Sequence, residues 1–531
     1  MDREEHESYL LGDGTSSPST ASDDEHEKPG SRKSNSLAIY VTFLGVFLAS
    51  IDETIAITTY SAIASQFHLM TESSWLLVAY SFGYCISLPV YGRLSDAYGC
   101  KKVLISAYGL FTLGCLACGF STSLFQLITA RVLSGLSGAG MIVLTTIILS
   151  DIVPPKELAL LRAYENTVFS VGRGLGAPLG GLLVDVINWR WLFLGQVPLV
   201  LMCVLFAVQR LPSFEPKSKR PGNHQPRSGF WGFDFAGLFS FAATISSLLF
   251  LLRDAGAPAK SSSEWTHIPA LGFITSSVGF ILIEVFWASN PIIPMDLMLK
   301  SLGAYCLIQV TMFIGRFSLN SNIIPYFVRV EDSSDFYGSM VYLISSLGIS
   351  IGGIIGGNVI KRTHRYKTMT VAVVLGSVIL YLGLFVLWRD GCPPWETFIN
   401  LPIGAVMGVV LSSQFISMTC SSPKPRLAVC IGTYFVSQQL GILLGPAIGL
   451  ALVQGLFGAS LERNLPESAN KAALILNILD DVKYARSLSP ALQEIVRSSY
   501  LFGFQFVPLL SATCSIVILV IILLLREEKI T

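Results

Sequence analysis

The chain has 531 residues, of which 52% are hydrophobic and 13% charged, with a formal net charge of +1 and a mean hydropathy of +0.60. Soluble domains carry roughly 25% charged residues, so a soluble globular protein is excluded and an all-α polytopic membrane protein is indicated. A net charge near zero selects no partner by itself, and neither a nucleic-acid partner nor a cofactor is expected.

Residues 1–35 are polar, rich in Ser, Asp and Glu and poor in aromatics, which is the composition of a disordered tail, and they contain no cleavable signal peptide. Within them Tyr9, Leu10 and Leu11 follow several acids, either as a loose dileucine sorting signal or as a chance pair of leucines. The next stretch, 37–64, is one long apolar helix with two adjacent acids, Asp52 and Glu53, near its middle. A helix needs about 20 apolar residues to cross a bilayer, and a charge at its centre costs roughly 2.5–3.5 kcal/mol. Two such acids need a water-filled cavity, a partner cation or a proton. That combination belongs to a protein that moves something across a membrane.

Further apolar runs follow at 74–94, 103–121, 124–150, 158–183, 190–210, 233–252 and 267–287, then at 304–328, 337–360, 368–388, 399–420, 427–454 and 499–525. With the first they predict fourteen crossings, and an even number puts both termini on one side. Basic residues decide which side. One set of short loops carries Arg93, Lys101, Lys102, Lys156, Arg162, Lys217, Lys219, Arg220 and Arg227, and later Lys361, Arg362, Arg365, Lys367, Lys424 and Arg426. The opposite stretches Gln66–Ser73 and Ser121–Ser123 carry none. The basic loops and both termini are therefore expected in the cytosol. The stretch 455–498 lies opposite, with an amphipathic helix expected over Ala472–Val482.

Of the ten cysteines, Cys85, Cys115, Cys118, Cys203, Cys306, Cys420 and Cys514 lie inside apolar runs and read as small packing residues. Cys115 and Cys118 are spaced as CxxC, but nothing nearby supplies further ligands, so no metal site is expected. No Asn-x-Ser/Thr sequon occurs to mark topology.

Four motifs carry the functional signal. After the second span the chain reads Gly92-Arg-Leu-Ser-Asp96-Ala-Tyr-Gly99-Cys-Lys101-Lys102. Its glycines permit a tight two-helix connection, and Asp96 can accept from a helix N-terminus or pair with a cation in a contact that breaks when two halves rock. The fourth span carries Arg131-x3-Gly135-x2-Gly138-Ala139, and the fifth carries Gly172-Arg173-Gly174-x-Gly176-Ala177-Pro178-Leu-Gly180-Gly181, followed by Asn188-Trp-Arg-Trp191. A helix rich in Gly and Pro packs closely and bends. The fourth motif is Ile51-Asp52-Glu53-Thr54-Ile55 itself. A weak internal repeat is also present: Gly357-x4-Arg362-x2-Arg365-x-Lys367 is a degraded copy of the Gly92 string, and Gly445-Pro446-x2-Gly449 mimics the fifth-span glycines.

Together these strings resemble the major facilitator superfamily, and within it the fourteen-helix drug:proton antiporters, most of all the fungal vacuolar basic amino-acid transporters. The resemblance covers about residues 37–454. Ala97 and Cys100 stand where the family's loop usually has Arg, which weakens a charge-relay gate but leaves Asp96 and the glycines. Only Leu179 separates Pro178 from the glycine pair, where drug exporters usually have two residues. The resemblance implies a major facilitator fold of two six-helix halves plus two extra central helices. The expected divisions are a cytosolic tail (1–35), a first half (36–210), a linker (211–232), the extra pair (233–287), a second half (288–525, with the 455–498 loop) and a stub (526–531).

In such a fold the acids and cations on inner faces do the work. Asp52 is the first choice for a carboxylate that alternates between proton and substrate. Glu53 lies about 100° around the helix, so the two cannot face one point, and one of them is expected against a neighbouring helix. Arg131 and Arg173 either hold an acid ionised or contact a substrate carboxylate, or Arg131 serves only as a structural partner of a helix carbonyl. Glu165 stands three residues from Arg162, so a local ion pair is as good a reading as a transport role. Arg316, mid-helix in the second half, is a further cavity candidate. Tyr80, Tyr84, Tyr326 and Phe327 are aromatics that either line a pocket or pack.

The leading expectation is a monomeric proton antiporter carrying a small cationic substrate, a basic amino acid, from the cytosol into the vacuole. The alternative within transport is a plasma-membrane exporter of drugs or toxins. A transporter-like nutrient sensor is a different class, and such sensors tend to carry long signalling tails. An enzyme is not expected, because the sequence offers no nucleotide-binding loop, metal cluster or nucleophile–base pair.

Overall fold

The computed structural model describes residues 40–55, 63, 67, 75–153, 155–211, 235–255, 267–287, 291, 293–333, 335–389, 391–466, 470–480, 488–525 and 527. The expected tail, with Tyr9, Leu10 and Leu11, lies outside the described residues, as do nearly all of the linker and the stub. Among the described residues every regular element is helical, as an apolar solvent demands when backbone groups must pair within their own segment.

The first half comprises α1 (residues 40–55), α2 (Trp75–Tyr98), α3 (Cys100–Gly119), α4 (Leu124–Ile152), α5 (Pro155–Ile187), α6 (Trp189–Leu194) and α7 (Gln196–Arg210). Then come α8 (Phe235–Ala255), α9 (His267–Leu282, ending in a π turn Ile283–Trp287) and the short α10 (Met295–Met298). The second half comprises α11 (Ser301–Val330), α12 (Asp335–Thr363), α13 (Lys367–Leu387), α14 (Asn400–Ser421), α15 (Leu427–Asn464), α16 (Lys471–Asp480), α17 (Pro490–Phe504) and α18 (Phe506–Leu524). Among the described residues ten helical stretches are long and apolar enough to span a membrane. α1, α2, α5 and α8 stand outside that set, and α1 and α5 are the helices that carry Asp52, Glu53, Arg162, Glu165 and Arg173.

The spans expected at 190–210 and 499–525 are each broken once. α6 stops at Leu194 and α17 at Phe504, four residues before Pro198 and Pro508. A proline ring clashes with the carbonyl four residues back and lacks the N–H that would bond to it, so both breaks have the same cause. The stretch 455–498, expected as a loop with one helix, is largely helical. α15 continues to Asn464 because Phe457 and Leu461 bury themselves against α17, with Phe457 edge-on to Tyr500 at 5.3 Å. α16 covers most of the expected amphipathic segment, and Arg329 of α11 donates to the carbonyls of Ile478 and Leu479 at its end.

The repeat seen in the sequence has a geometric counterpart. A Cβ on Gly176 of α5 would meet the Ile51 carbonyl and Thr54 of α1, and one on Gly445 of α15 would meet the Ile314 carbonyl and Phe317 of α11. The α1–α5 and α11–α15 pairs therefore pack in one register, and Glu53 and Arg316 occupy matching positions in the two halves. Lys101 of α3 donates to the carbonyls of Val208 and Leu211 at the end of α7, while Lys367 of α13 donates to those of Leu523 and Leu525 at the end of α18. Each lysine neutralises the unpaired carbonyls that close its half.

The halves meet along α5 against α12 and α2 against α15, and α8 and α9 pack on each other beside α2 and α15. At the end of the molecule carrying the Gly92 loop the contact is backbone to backbone. A Cβ on Gly92 would strike the Ala428 carbonyl, and one on Gly357 would strike Leu160 and the Ala159 carbonyl. The two glycines of the repeated string thus seal the same end from opposite halves, and an exposed Lys361–Glu157 pair at 3.4 Å lies beside them.

Candidate functional site

Asp52 is fully enclosed. Arg131 Nη1 of α4 donates to its Oδ2 at 2.7 Å, and Gln196 Nε2 of α7 donates to Oδ1 at 3.3 Å. The Arg131 guanidinium stacks over Tyr80 of α2 at 4.6 Å and faces Phe193 of α6 at 5.5 Å. Tyr80 in turn donates to the Ala49 carbonyl at 3.2 Å. Five helices of the first half, α1, α2, α4, α6 and α7, thus close around one ion pair. The second motif explains how Arg131 reaches it, since a side chain on Gly135 would collide with the Tyr80 backbone and one on Gly138 with the Tyr80 hydroxyl. Sealed from water, such a pair is costly to break. Removing one partner of a buried pair costs about 3–5 kcal/mol, so neither side chain can leave the pair cheaply.

Glu53 points the other way. Its Oε1 accepts from Arg173 Nη2 of α5 at 3.0 Å, and the two side chains are 15% and 10% exposed. Arg173 lies between Phe169 of α5 and Phe317 of α11, at 5.5 and 5.4 Å. It also borders a small cavity between the halves, which includes Ser170, Asn320, Tyr342 and Gln438. The sequence ranks Asp52 ahead of Glu53 but leaves open which of them faces the cavity, and the geometry distributes them between two places. Asp52 is buried inside the first half, and the pair beside the cavity is Glu53–Arg173. The cause is the α5 glycines: Gly172 packs on Ser50 and the Phe47 carbonyl and Gly176 on Thr54, which sets the face that α1 shows to α5. Gly180 is buried, and the side-chain surroundings of Pro178 and Gly181 lie outside the described residues.

Arg316 borders the same cavity from the second half. It is 2% exposed, and among the described residues none of its three guanidinium nitrogens has a hydrogen-bond partner. A second small cavity lies behind it, within the second half, between α11, α13, α14 and α18.

Glu165 is not at the cavity. Its Oε2 pairs with Arg162 Nη1 at 2.8 Å, and its Oε1 accepts from Thr146 of α4 at 2.6 Å. Arg162 stacks on Phe415 of α14 and Phe435 of α15 at 4.7 and 4.9 Å. The local ion pair anticipated from spacing is therefore present, but it is inserted into the other half, near the end sealed by Gly92 and Gly357. Of the loop residues, Gly99 makes the one-residue turn between α2 and α3 with φ 89°, a conformation that favours glycine. Asp96 is half-buried and lies within electrostatic range of Cys430 in the first turn of α15, and Lys102 is exposed.

Tyr326 and Phe327 do not line the cavity. They pack with Trp388 and Phe504 in a separate apolar cluster of the second half. Cys115 and Cys118 are buried and free. Sequence reasoning missed Gln196, Thr146, Phe415 and Phe435, whose only signal is a polar residue in an apolar run or an aromatic among many.

These features define a transporter built from two related helical halves around a central charged cavity. The Major Facilitator Superfamily model matches residues 42–446, and the chain belongs to that family. Among curated relatives, a vacuolar membrane amino acid uptake transporter of Schizosaccharomyces pombe, fnx2, is 29% identical over 87% of this chain and 80% of its own length. A multidrug resistance protein of the same yeast, fnx1, is 27% identical over 87% of each chain. Vacuolar basic amino acid transporter 1 of Saccharomyces cerevisiae is 26% identical over 78% of this chain and 76% of its own. The crystal structure of the human organic anion transporter MFSD10 superposes with a TM-score of 0.57 at 16% identity, covering 92% of this chain and all of that one, which bears out the fold.

Proposed function

We propose that this protein is a proton-coupled antiporter that moves basic amino acids across the vacuolar membrane by alternating access. In this reading fourteen helices cross the bilayer, both termini and the Gly92 loop face the cytosol, and the protein works as a monomer. The observation that carries the reading is the arrangement of charge on α1: two adjacent carboxylates, each closed on its own arginine, one buried in the first half and the other beside the cavity.

Asp52 is the proton site. When it takes a proton, Arg131 loses its counter-charge and must move, and α1, α2, α4 and α6 move with it. Glu53 is the cation site. A lysine, arginine or histidine side chain competes with Arg173 for its carboxylate. The conformation is closed at the Gly92 end, so exchange at this stage takes place on the other side, and Arg162–Glu165 separates from Phe415 and Phe435 when that end opens. The multidrug relative and the aromatics beside Arg173 support an exporter of cationic drugs as the second reading.

Vacuolar membrane vesicles from cells with and without the protein distinguish the two. ATP-driven, proton-gradient-dependent uptake of Arg, Lys and His is expected only with the protein. Equal uptake together with altered drug resistance would replace this reading by the exporter.

A further inference from the structure

Every other buried arginine of the central region is matched. Arg131 has Asp52, Arg173 has Glu53 and Arg162 has Glu165. Arg316 is 2% exposed, yet among the described residues none of its Nε, Nη1 and Nη2 has a hydrogen-bond partner. The phenols of Tyr381 and Tyr342 lie near it, and neither supplies a carboxylate. A guanidinium carries five donors and stays charged, so leaving one buried without an anion is among the most expensive arrangements a protein can hold. Arg316 also borders the inter-half cavity and occupies the position in α11 that Glu53 occupies in α1. The site therefore has opposite charges at matching positions in its two halves, and only the negative one is already paired.

We propose that Arg316 is the subsite for the substrate's carboxylate, and that the transported molecule must carry one. This rests on the reading of the chain as an amino-acid antiporter and deepens it: the carboxylate, rather than the cationic group, is what separates a substrate from a cationic drug. A guanidinium matches a carboxylate with two parallel hydrogen bonds. An amino acid with a basic side chain brings a carboxylate to Arg316 and a cation to Glu53. A cationic drug without a carboxylate leaves Arg316 unmatched and adds a second positive charge beside it.

The test uses the purified full-length protein and ligand pairs that differ only in the carboxylate: arginine against agmatine, and leucine against 3-methylbutylamine, with ethidium as a carboxylate-free drug. Binding is measured for wild type, Arg316→Gln and Arg316→Lys. Wild type is expected to favour the carboxylate-bearing member of at least one pair by about ten- to a hundredfold, the range of a charge-assisted contact. Arg316→Gln should remove that preference without weakening the decarboxylated partner, and Arg316→Lys should keep part of it. Because Arg316→Gln deletes a buried charge with no counter-ion, its thermal midpoint should equal or exceed that of wild type, whereas a purely structural arginine would lower it. Equal binding within both pairs, a preference that survives Arg316→Gln, or a lowered midpoint in that variant would overturn the proposal. The amino-acid reading fails separately: if arginine, lysine and histidine are not bound while the leucine pair is discriminated through Arg316, the carboxylate subsite stands and the basic substrate falls.

Discussion

Asp52 and Glu53 are neighbours in sequence with opposite surroundings, and each surrounding makes a different prediction. Asp52 has two donors and no exposure, so Asp52→Asn should abolish proton-coupled uptake while the protein still reaches its membrane. Full uptake in that variant, measured in vesicles, would remove Asp52 as the proton site. Stability separates the pair from its parts. Asp52→Ala leaves Arg131 buried and uncompensated and should cost about 3–5 kcal/mol. Removing both charges, as Asp52→Ala with Arg131→Met, should recover much of that loss in thermal melts of the solubilised protein. Glu53→Gln acts elsewhere. It frees Arg173 beside the cavity, so it should weaken binding of a basic amino acid more than it changes the proton dependence of the remaining uptake.

At the scale of the helix pair, the α5 glycines are spacing elements. Gly172 and Gly176 let α1 approach until Ser50 and Thr54 fill the groove, and that approach sets the distance between Glu53 and Arg173. Gly176→Val should therefore cost about 1–3 kcal/mol through overpacking and reduce uptake by pulling the ion pair apart. The control is Gly376 of α13, where an added Cβ meets nothing within 4 Å. Gly376→Ala should be neutral or stabilise by about 0.5–1 kcal/mol, because glycine is the poorer helix former. If both variants behave alike in thermal melts, the glycines are not spacers.

For the whole molecule the prediction concerns the sealed end. Gly92 against α15 and Gly357 against α5 close it through backbone contact, and Glu157 and Lys361 stand exposed beside the seam at 3.4 Å. Cysteines placed at these two positions and joined by a short crosslinker should stop uptake, and cleavage of the linker should restore it. Undiminished uptake in the crosslinked protein would mean that α5 and α12 do not part there during transport.

The sequence by itself determined the membrane class, the family, the motifs and the charged residues, because each signal is local: an apolar run, a spacing of glycines, a charge where charge is costly. It also held the internal repeat, down to the prolines that break α6–α7 and α17–α18 at matching places. Only the tertiary structure decided the partners. Which way Asp52 and Glu53 face depends on how closely α1 lies on α5, and that distance is set by residues more than a hundred positions away. Arg162 was readable as the local partner of Glu165, but Phe415 and Phe435 come to it only when the halves meet. Arg316 was one cavity candidate among several in the sequence; its lack of an ion-pair partner among the described residues emerges only once Asp52, Glu53 and Glu165 are each found on another arginine.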